Sequence, residues 1–190
     1  MNSIKKINVI FGGSFNPPTV AHYQISKQII ETFEVVDFVF MPTGNNYNKP
    51  ELIDSSHRFE MLKLVCNNLK NARVSDFEMN QNNYKGTYYM LQNFPNYYFV
   101  LGADNLKDIV NWINFPKVVM ENKFIVLNRD KFDLSEILNS NELKEYKDNF
   151  IIFSDFITSN VSSTEYRKSL DEKFVLPEIH KYVLNNKLYI

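Results

Sequence analysis

The 190-residue chain has one cysteine, Cys66, so no internal disulfide can form. Cys66 falls in a helical pattern with Met61, Leu62 and Val65, which reads as a buried, inert thiol. No apolar run approaches the roughly 20 residues that span a bilayer. The opening Met1-Asn2-Ser3-Ile4-Lys5-Lys6 has no apolar signal-peptide core, so a cytoplasmic protein without a membrane partner is expected. Charge of one sign is also lacking. With 21 basic and 22 acidic residues the net charge is −1, which argues against a nucleic-acid partner. Arginine is scarce, with only Arg58, Arg73, Arg129 and Arg167, so each is a candidate clamp for phosphate or carboxylate. What is abundant is core material: 44% hydrophobic and 15% aromatic residues suffice for one domain over 1–190. Neither a repeat nor a linker interrupts it, and the sequence leaves the oligomeric state open, a homo-oligomer included.

Short apolar runs alternate with helical spacings. Ile4–Phe11, with Ile7, Val9, Ile10 and Phe11, reads as a buried first strand. Ile25, Ile29, Ile30 and Phe33 then mark a helix entered near Pro18 or Thr19. Val35–Met41 reads as a second strand and Thr43–Pro50 as a polar loop. A helix over His57–Leu69, capped by Ser55 or Ser56, precedes a strand at Ala72–Phe77 and a helix over Thr87–Asn93. Tyr97–Leu101 is the strongest strand signal and ends at Gly102. Helices at Leu106–Ile113 and 115–120, a strand at Lys123–Leu127, a charged peripheral segment over 131–149 and a strand at Phe150–Phe153 follow. Val161–Thr164 opens another helix. Pro177–Ile190 reads as a helix packed by Ile179, Val183 and Leu184, then an extended end. This alternation implies an α/β fold: a Rossmann-like, doubly wound parallel sheet covered on both faces, with a small C-terminal helical segment. Ligands in such sheets lie beyond the C-terminal strand ends, where the turns at Gly12, Pro42 and Gly102 should converge.

Two stretches carry candidate chemistry. In Phe11-Gly12-Gly13-Ser14-Phe15-Asn16-Pro17-Pro18-Thr19-Val20-Ala21-His22, glycines permit close backbone approach, and Thr19 and His22 share a helix face beside free N–H groups. This is either a phosphate loop or an ordinary tight turn into a helix. In Ser162-Ser163-Thr164-Glu165-Tyr166-Arg167, the hydroxyls either cap a helix or join Arg167 on a phosphate. Lys49 is either a solvated loop lysine or a phosphate ligand, and Trp112 either packs in the core or stacks on a ring. Arg58 has no assigned chemistry.

The first stretch resembles the G-x-F-D-P-x-H/T-x-G-H motif, and the second the I-S-S-T-x-x-R motif, of the HxGH nucleotidyltransferases. Leu101-Gly102-Ala103-Asp104 followed by Trp112 resembles the L-G-x-D…W pattern of the bacterial nicotinate-nucleotide adenylyltransferases, and the ending Leu184–Tyr189 resembles theirs. The likeness runs from Gly12 to Tyr189. Departures are Asn16 for Asp, Ala21 for Gly, Thr19 where this subfamily commonly has His, and a loose Tyr84-Lys85-Gly86-Thr87-Tyr88 match to its pyridine-recognition loop.

The resemblance implies adenylyl transfer from ATP to nicotinic acid mononucleotide, forming deamido-NAD and pyrophosphate. It assigns catalysis to His22, Thr19, Lys49 and Arg167, and ATP binding to Gly12, Gly13, Ser14, Phe15, Gly102, Asp104, Ser162, Ser163 and Thr164. Thr87 and Trp112 fall to the mononucleotide, and Mg²⁺ is expected to arrive on the ATP phosphates, without metal ligands from the protein. The alternatives are a pantetheine-phosphate adenylyltransferase, which Thr19 would suit, a nicotinamide mononucleotide adenylyltransferase, and a non-catalytic nucleotide sensor. A class I aminoacyl-tRNA synthetase fragment lacks support, since no K-M-S-K-S-type loop is present.

Overall fold

A computed structural model describes residues 6–45, 51–128 and 133–190. The chain runs β1 (Ile7–Gly13), α1 (Val20–Thr32), β2 (Val35–Pro42), α2 (Ser55–Cys66), β3 (Ala72–Val74), α3 (Thr87–Gln92) and β4 (Tyr97–Gly102). It continues through α4 (Ala103–Asp108), α5 (Lys117–Met120), β5 (Lys123–Leu127), α6 (Ser135–Leu138), β6 (Phe150–Phe153), α7 (Ser163–Ser169) and α8 (Pro177–Asn185). The strands form one six-stranded sheet in the order β3-β2-β1-β4-β5-β6, and every pairing is parallel. This is the doubly wound arrangement expected, with its order reversing between β1 and β4.

Side chains alternate across each strand, so both faces of the sheet are buried. Val9, Phe11, Phe38, Phe40, Val100 and Ile125 enter one core, together with Ile25 and Ile29 of α1 and Ile179 and Val183 of α8. Ile10, Val39, Met41, Phe99, Leu101, Phe124 and Val126 enter the other, with Leu106 of α4 and Val118 of α5. Burying each such aliphatic or aromatic side chain contributes about 1.5–3 kcal/mol before chain entropy is counted.

The pairing also opens the site. β1 stays in register with β2 as far as Gly13 opposite Pro42, whereas its pairing with β4 ends at Phe11 opposite Val100. Gly12 and Gly13 therefore continue past the β4 ladder, leaving a crevice at the reversal. Gly12 has a steric reason to be glycine, because a Cβ there would lie 2.9 Å from the Phe99 ring.

Several expectations need correction. α2 starts earlier than expected and is capped by Asp54, whose carboxylate accepts from Ser56 N at 2.9 Å, so neither serine is the cap. β3 stops at Val74, because the backbone curls after Ser75, with Phe77 N donating to Ser75 Oγ at 3.2 Å. α4 starts directly after Gly102 and passes into a single 3-10 turn at Ile109–Asn111. The charged 131–149 segment is not merely peripheral, since Leu134 and Leu143 are buried in the second core. After α8 the chain turns back on itself, with Leu188 N bonding Val183 O at 3.0 Å, instead of extending. Leu184 is 46% exposed and does not pack the helix. Cys66 is half-buried, and burial pushes its thiol up to about 12, in keeping with an inert group.

Candidate active site

Between β1 and α1 the backbone is held tightly. Phe15 has a left-handed backbone (φ 47°) and its side chain is 3% exposed. Its ring sits edge-on against Phe40, with centroids 5.6 Å apart, and against His22 at 5.1 Å. A left-handed phenylalanine is uncommon and persists where packing fixes it. The Phe15 ring thus supplies a wall that supports the imidazole.

His22 lies in the first turn of α1. Thr19 N donates to His22 Nδ1 at 2.9 Å, and Thr19 Oγ1 lies 2.9 Å from the same nitrogen. A backbone N–H can only donate, so Nδ1 is the acceptor and the neutral ring carries its proton on Nε2. Thr19 is 1% exposed. Its hydroxyl is buried against the imidazole.

Asn16 is a junction. Its Nδ2 donates to Glu51 O at 2.9 Å, and its Oδ1 accepts from Tyr189 Oη at 2.9 Å. Its backbone carbonyl accepts from Arg167 Nη1 at 2.8 Å. Burial at 3% exposure and a carbonyl partner for Nδ2 explain asparagine where the motif has aspartate, since a carboxylate cannot donate. Ser163 Oγ donates to Pro17 O at 2.8 Å. The second motif therefore docks onto the first. Ser162 is occupied differently. It caps α7 and pairs with Glu165, whose carboxylate accepts from both Ser162 N (3.0 Å) and Ser162 Oγ (2.8 Å). Thr164 Oγ1 accepts from Arg167 Nη2 at 3.3 Å.

Arg58, left without a role by sequence, is fully buried at 0% exposure. Its guanidinium donates to Ser14 O (2.9 Å), Thr43 O (2.7 Å), Thr43 Oγ1 (3.3 Å) and Ile53 O (3.1 Å). Burial lowers its pKa, which nearby Tyr189 and Asp54 partly offset. The guanidinium joins the β1 loop, the end of β2 and the approach to α2. Lys49 and Arg129 lie outside the described residues.

A cleft of about 470 Å³ occupies the crevice, lined by Gly12, Gly13, Ser14, Thr87 and Trp112 among the expected residues. Trp112 packs edge-on against Phe99 with centroids 6.3 Å apart, and Tyr84 Oη lies 3.3 Å from Thr87 Oγ1. From α4 the cleft takes Asn105 and Asp108, not Asp104, which lies exposed in the first turn of that helix. Gly102 does not line it either, and a Cβ at Gly102 would meet nothing within 4 Å. Sequence reading missed Asn105, Asp108, Thr43 and Glu78 in the lining. The three-residue spacing of Asn105 and Asp108 was the available signal, because it puts both on one helical face.

A parallel sheet whose order reverses beside a glycine loop, a positioned histidine and a docked arginine defines the class of α/β nucleotide-handling proteins. Residues 10–169 match the family described as Cytidylyltransferase-like, to which the chain belongs. Its relatives set it among the nicotinate-nucleotide adenylyltransferases. The chain is 34% identical over 188 residues to the probable nicotinate-nucleotide adenylyltransferase of Acholeplasma laidlawii, covering 95% of this chain and 96% of the relative. It is 32% identical to the probable enzyme of the same name from Clostridium acetobutylicum, covering 97% and 100%. Among solved structures it resembles Plasmodium falciparum nicotinic acid mononucleotide adenylyltransferase complexed with NaAD. There the TM-score is 0.78 and the identity 26%, over 97% of each chain. The family recognised from the motifs is thereby borne out. Among the described residues, no helix is long and apolar enough to cross a membrane.

Proposed function

We propose that the chain, acting as one nucleotidyltransferase domain, transfers AMP from ATP to nicotinic acid mononucleotide, forming deamido-NAD and pyrophosphate. A phosphate oxygen of the mononucleotide attacks the α-phosphorus of ATP. The bond from that phosphorus to the bridging oxygen breaks, and pyrophosphate leaves with the electron pair. The nucleophile is already anionic, so the protein supplies position and charge stabilisation in place of a nucleophile or a strong base. His22 is the donor, its Nε2–H directed by the Thr19 contact to Nδ1. Arg167, with Lys49, takes up the charge developing on pyrophosphate, while the Gly12–Ser14 backbone and Thr164 border the triphosphate. Ser163 holds the two motif segments together through Pro17. Gly102 and Asp104 are assigned to the adenosine, and Thr87 and Trp112 to the pyridine.

Mg²⁺ is expected to arrive on the ATP phosphates, where it would neutralise their charge.

The observation that carries this reading is the docking of Arg167 on Asn16, residues 151 apart in sequence, which brings the guanidinium beside the histidine-bearing loop. The test is pyrophosphate release from ATP and Mg²⁺ with nicotinic acid mononucleotide, nicotinamide mononucleotide or phosphopantetheine in parallel. Turnover led by the nicotinate substrate is expected. Turnover with phosphopantetheine alone, or with none of the three, would sink it.

A further inference from the structure

Glu78 lines the cleft together with Thr87 and Trp112, the residues assigned to the pyridine, and its role in specificity rests on that assignment. It also lines a small adjoining pocket of about 20 Å³ with Tyr84, Lys85 and Tyr89. Its backbone is pressed against the end of β2: a Cβ on Gly44 would lie 2.7 Å from Glu78 O. The residue is therefore fixed between the turn after β2 and the start of α3. Its side chain is half-buried. Withdrawal from water pushes its carboxyl up to about 7, and among the described residues neither a hydrogen bond nor a neighbouring charge offsets this. Among the described residues, the titratable and charged groups lining the same two pockets are Tyr84, Lys85 and Tyr89 on the α3 side and Asp108 from α4 across the cleft. A poorly solvated carboxyl in a ligand cleft is poised to find its partner on the ligand.

We infer that Glu78 is a specificity-determining residue for the substituent on the pyridine ring, favouring a carboxylate when it is protonated and a carboxamide when it is ionised. The protonated acid donates one O–H, which a nicotinate carboxylate accepts. The ionised form repels that carboxylate and accepts instead from the NH₂ of a nicotinamide. No covalent step is involved. The arrangement makes acid-over-amide preference a function of pH.

The experiment is the ratio of kcat/KM for nicotinic acid mononucleotide to that for nicotinamide mononucleotide, measured from pH 6 to pH 8. Both substrates carry a phosphate monoester titrating near 6, so that contribution cancels in the ratio. The pyridine carboxyl stays ionised throughout. For the unaltered protein the ratio is expected to fall up to about 100-fold over this range, following the protonated-to-ionised ratio of a group titrating near 7. In Glu78→Gln, which donates and accepts at every pH, the ratio is expected to be flat. A flat ratio in the unaltered protein, or a slope that survives in Glu78→Gln, overturns the inference while leaving adenylyl transfer intact. Absence of turnover with both mononucleotides overturns both. Should the variant fold poorly, the pH profile of the unaltered protein decides alone.

Discussion

The two walls of the cleft are built on opposite principles. On the β1–β2 side, side-chain donors and backbone carbonyls are matched densely: Arg58 reaches Ser14, Thr43 and Ile53, Asn16 reaches Glu51 and Tyr189, and Arg167 reaches Asn16. The α3–α4 side carries an edge-on Phe99–Trp112 pair, a Tyr84–Thr87 contact at 3.3 Å and an Asn111–Asp108 bond at 2.7 Å, and leaves Ile113 51% exposed. The first wall holds the groups assigned to phosphate, whose chemistry tolerates little displacement. The second holds those assigned to the pyridine. Dense hydrogen bonding thus lies on the wall assigned to the phosphates, and aromatic packing on the wall assigned to the pyridine.

His22→Ala breaks the comparison most sharply. It is expected to lower kcat about 10²–10³-fold, the usual loss for one transition-state donor, with little change in Tm. Steady-state pyrophosphate release with thermal unfolding checks it, and ordinary turnover in a folded variant would remove His22 from the mechanism. Arg58→Met comes next and acts on the same wall through stability. It leaves the Ser14, Thr43 and Ile53 carbonyls without their donor, a loss of about 2–4 kcal/mol at the usual penalty per orphaned group with water recovering part. Chemical denaturation measures this, and an unchanged midpoint would show the guanidinium to be dispensable. The smallest effect is expected for Asn16→Asp, which restores the motif residue but sets a carboxylate against the Glu51 carbonyl. A loss of about 1–3 kcal/mol is expected, and it should shrink in acid, where a protonated carboxyl donates again. An Asn16→Asp variant as stable as the parent at neutral pH would mean that the loop rearranges freely.

The dense wall was the harder one to read in advance. The strands were legible because Phe38 and Phe40 alternate with Val39 and Met41 between the two cores, a period that sequence displays directly. The histidine and arginine motifs were legible because residue type and spacing carry their chemistry. Arg58 was not, because its partners are main-chain carbonyls whose positions depend on loops from three segments. The Thr19–His22 contact was not legible, since spacing alone does not tell which neighbour takes up a hydroxyl. Asp104 was legible through the motif, whereas the places of Asn105 and Asp108 in the cleft lining follow from helical phase. Glu78 lay in an Asn-rich stretch with no periodic signal, and only the fold reveals its place in the cleft.

The strand order has a consequence for how the molecule comes into being. β1 is flanked by β2, which follows at once, and by β4, which begins only at Tyr97. At synthesis rates of about 5–20 residues per second, a nascent chain keeps one edge of its most central strand unpaired for seconds. An unpaired apolar edge is a template for the wrong partner, so Val9, Ile10 and Phe11 are most vulnerable to misassembly before the other half of the sheet arrives.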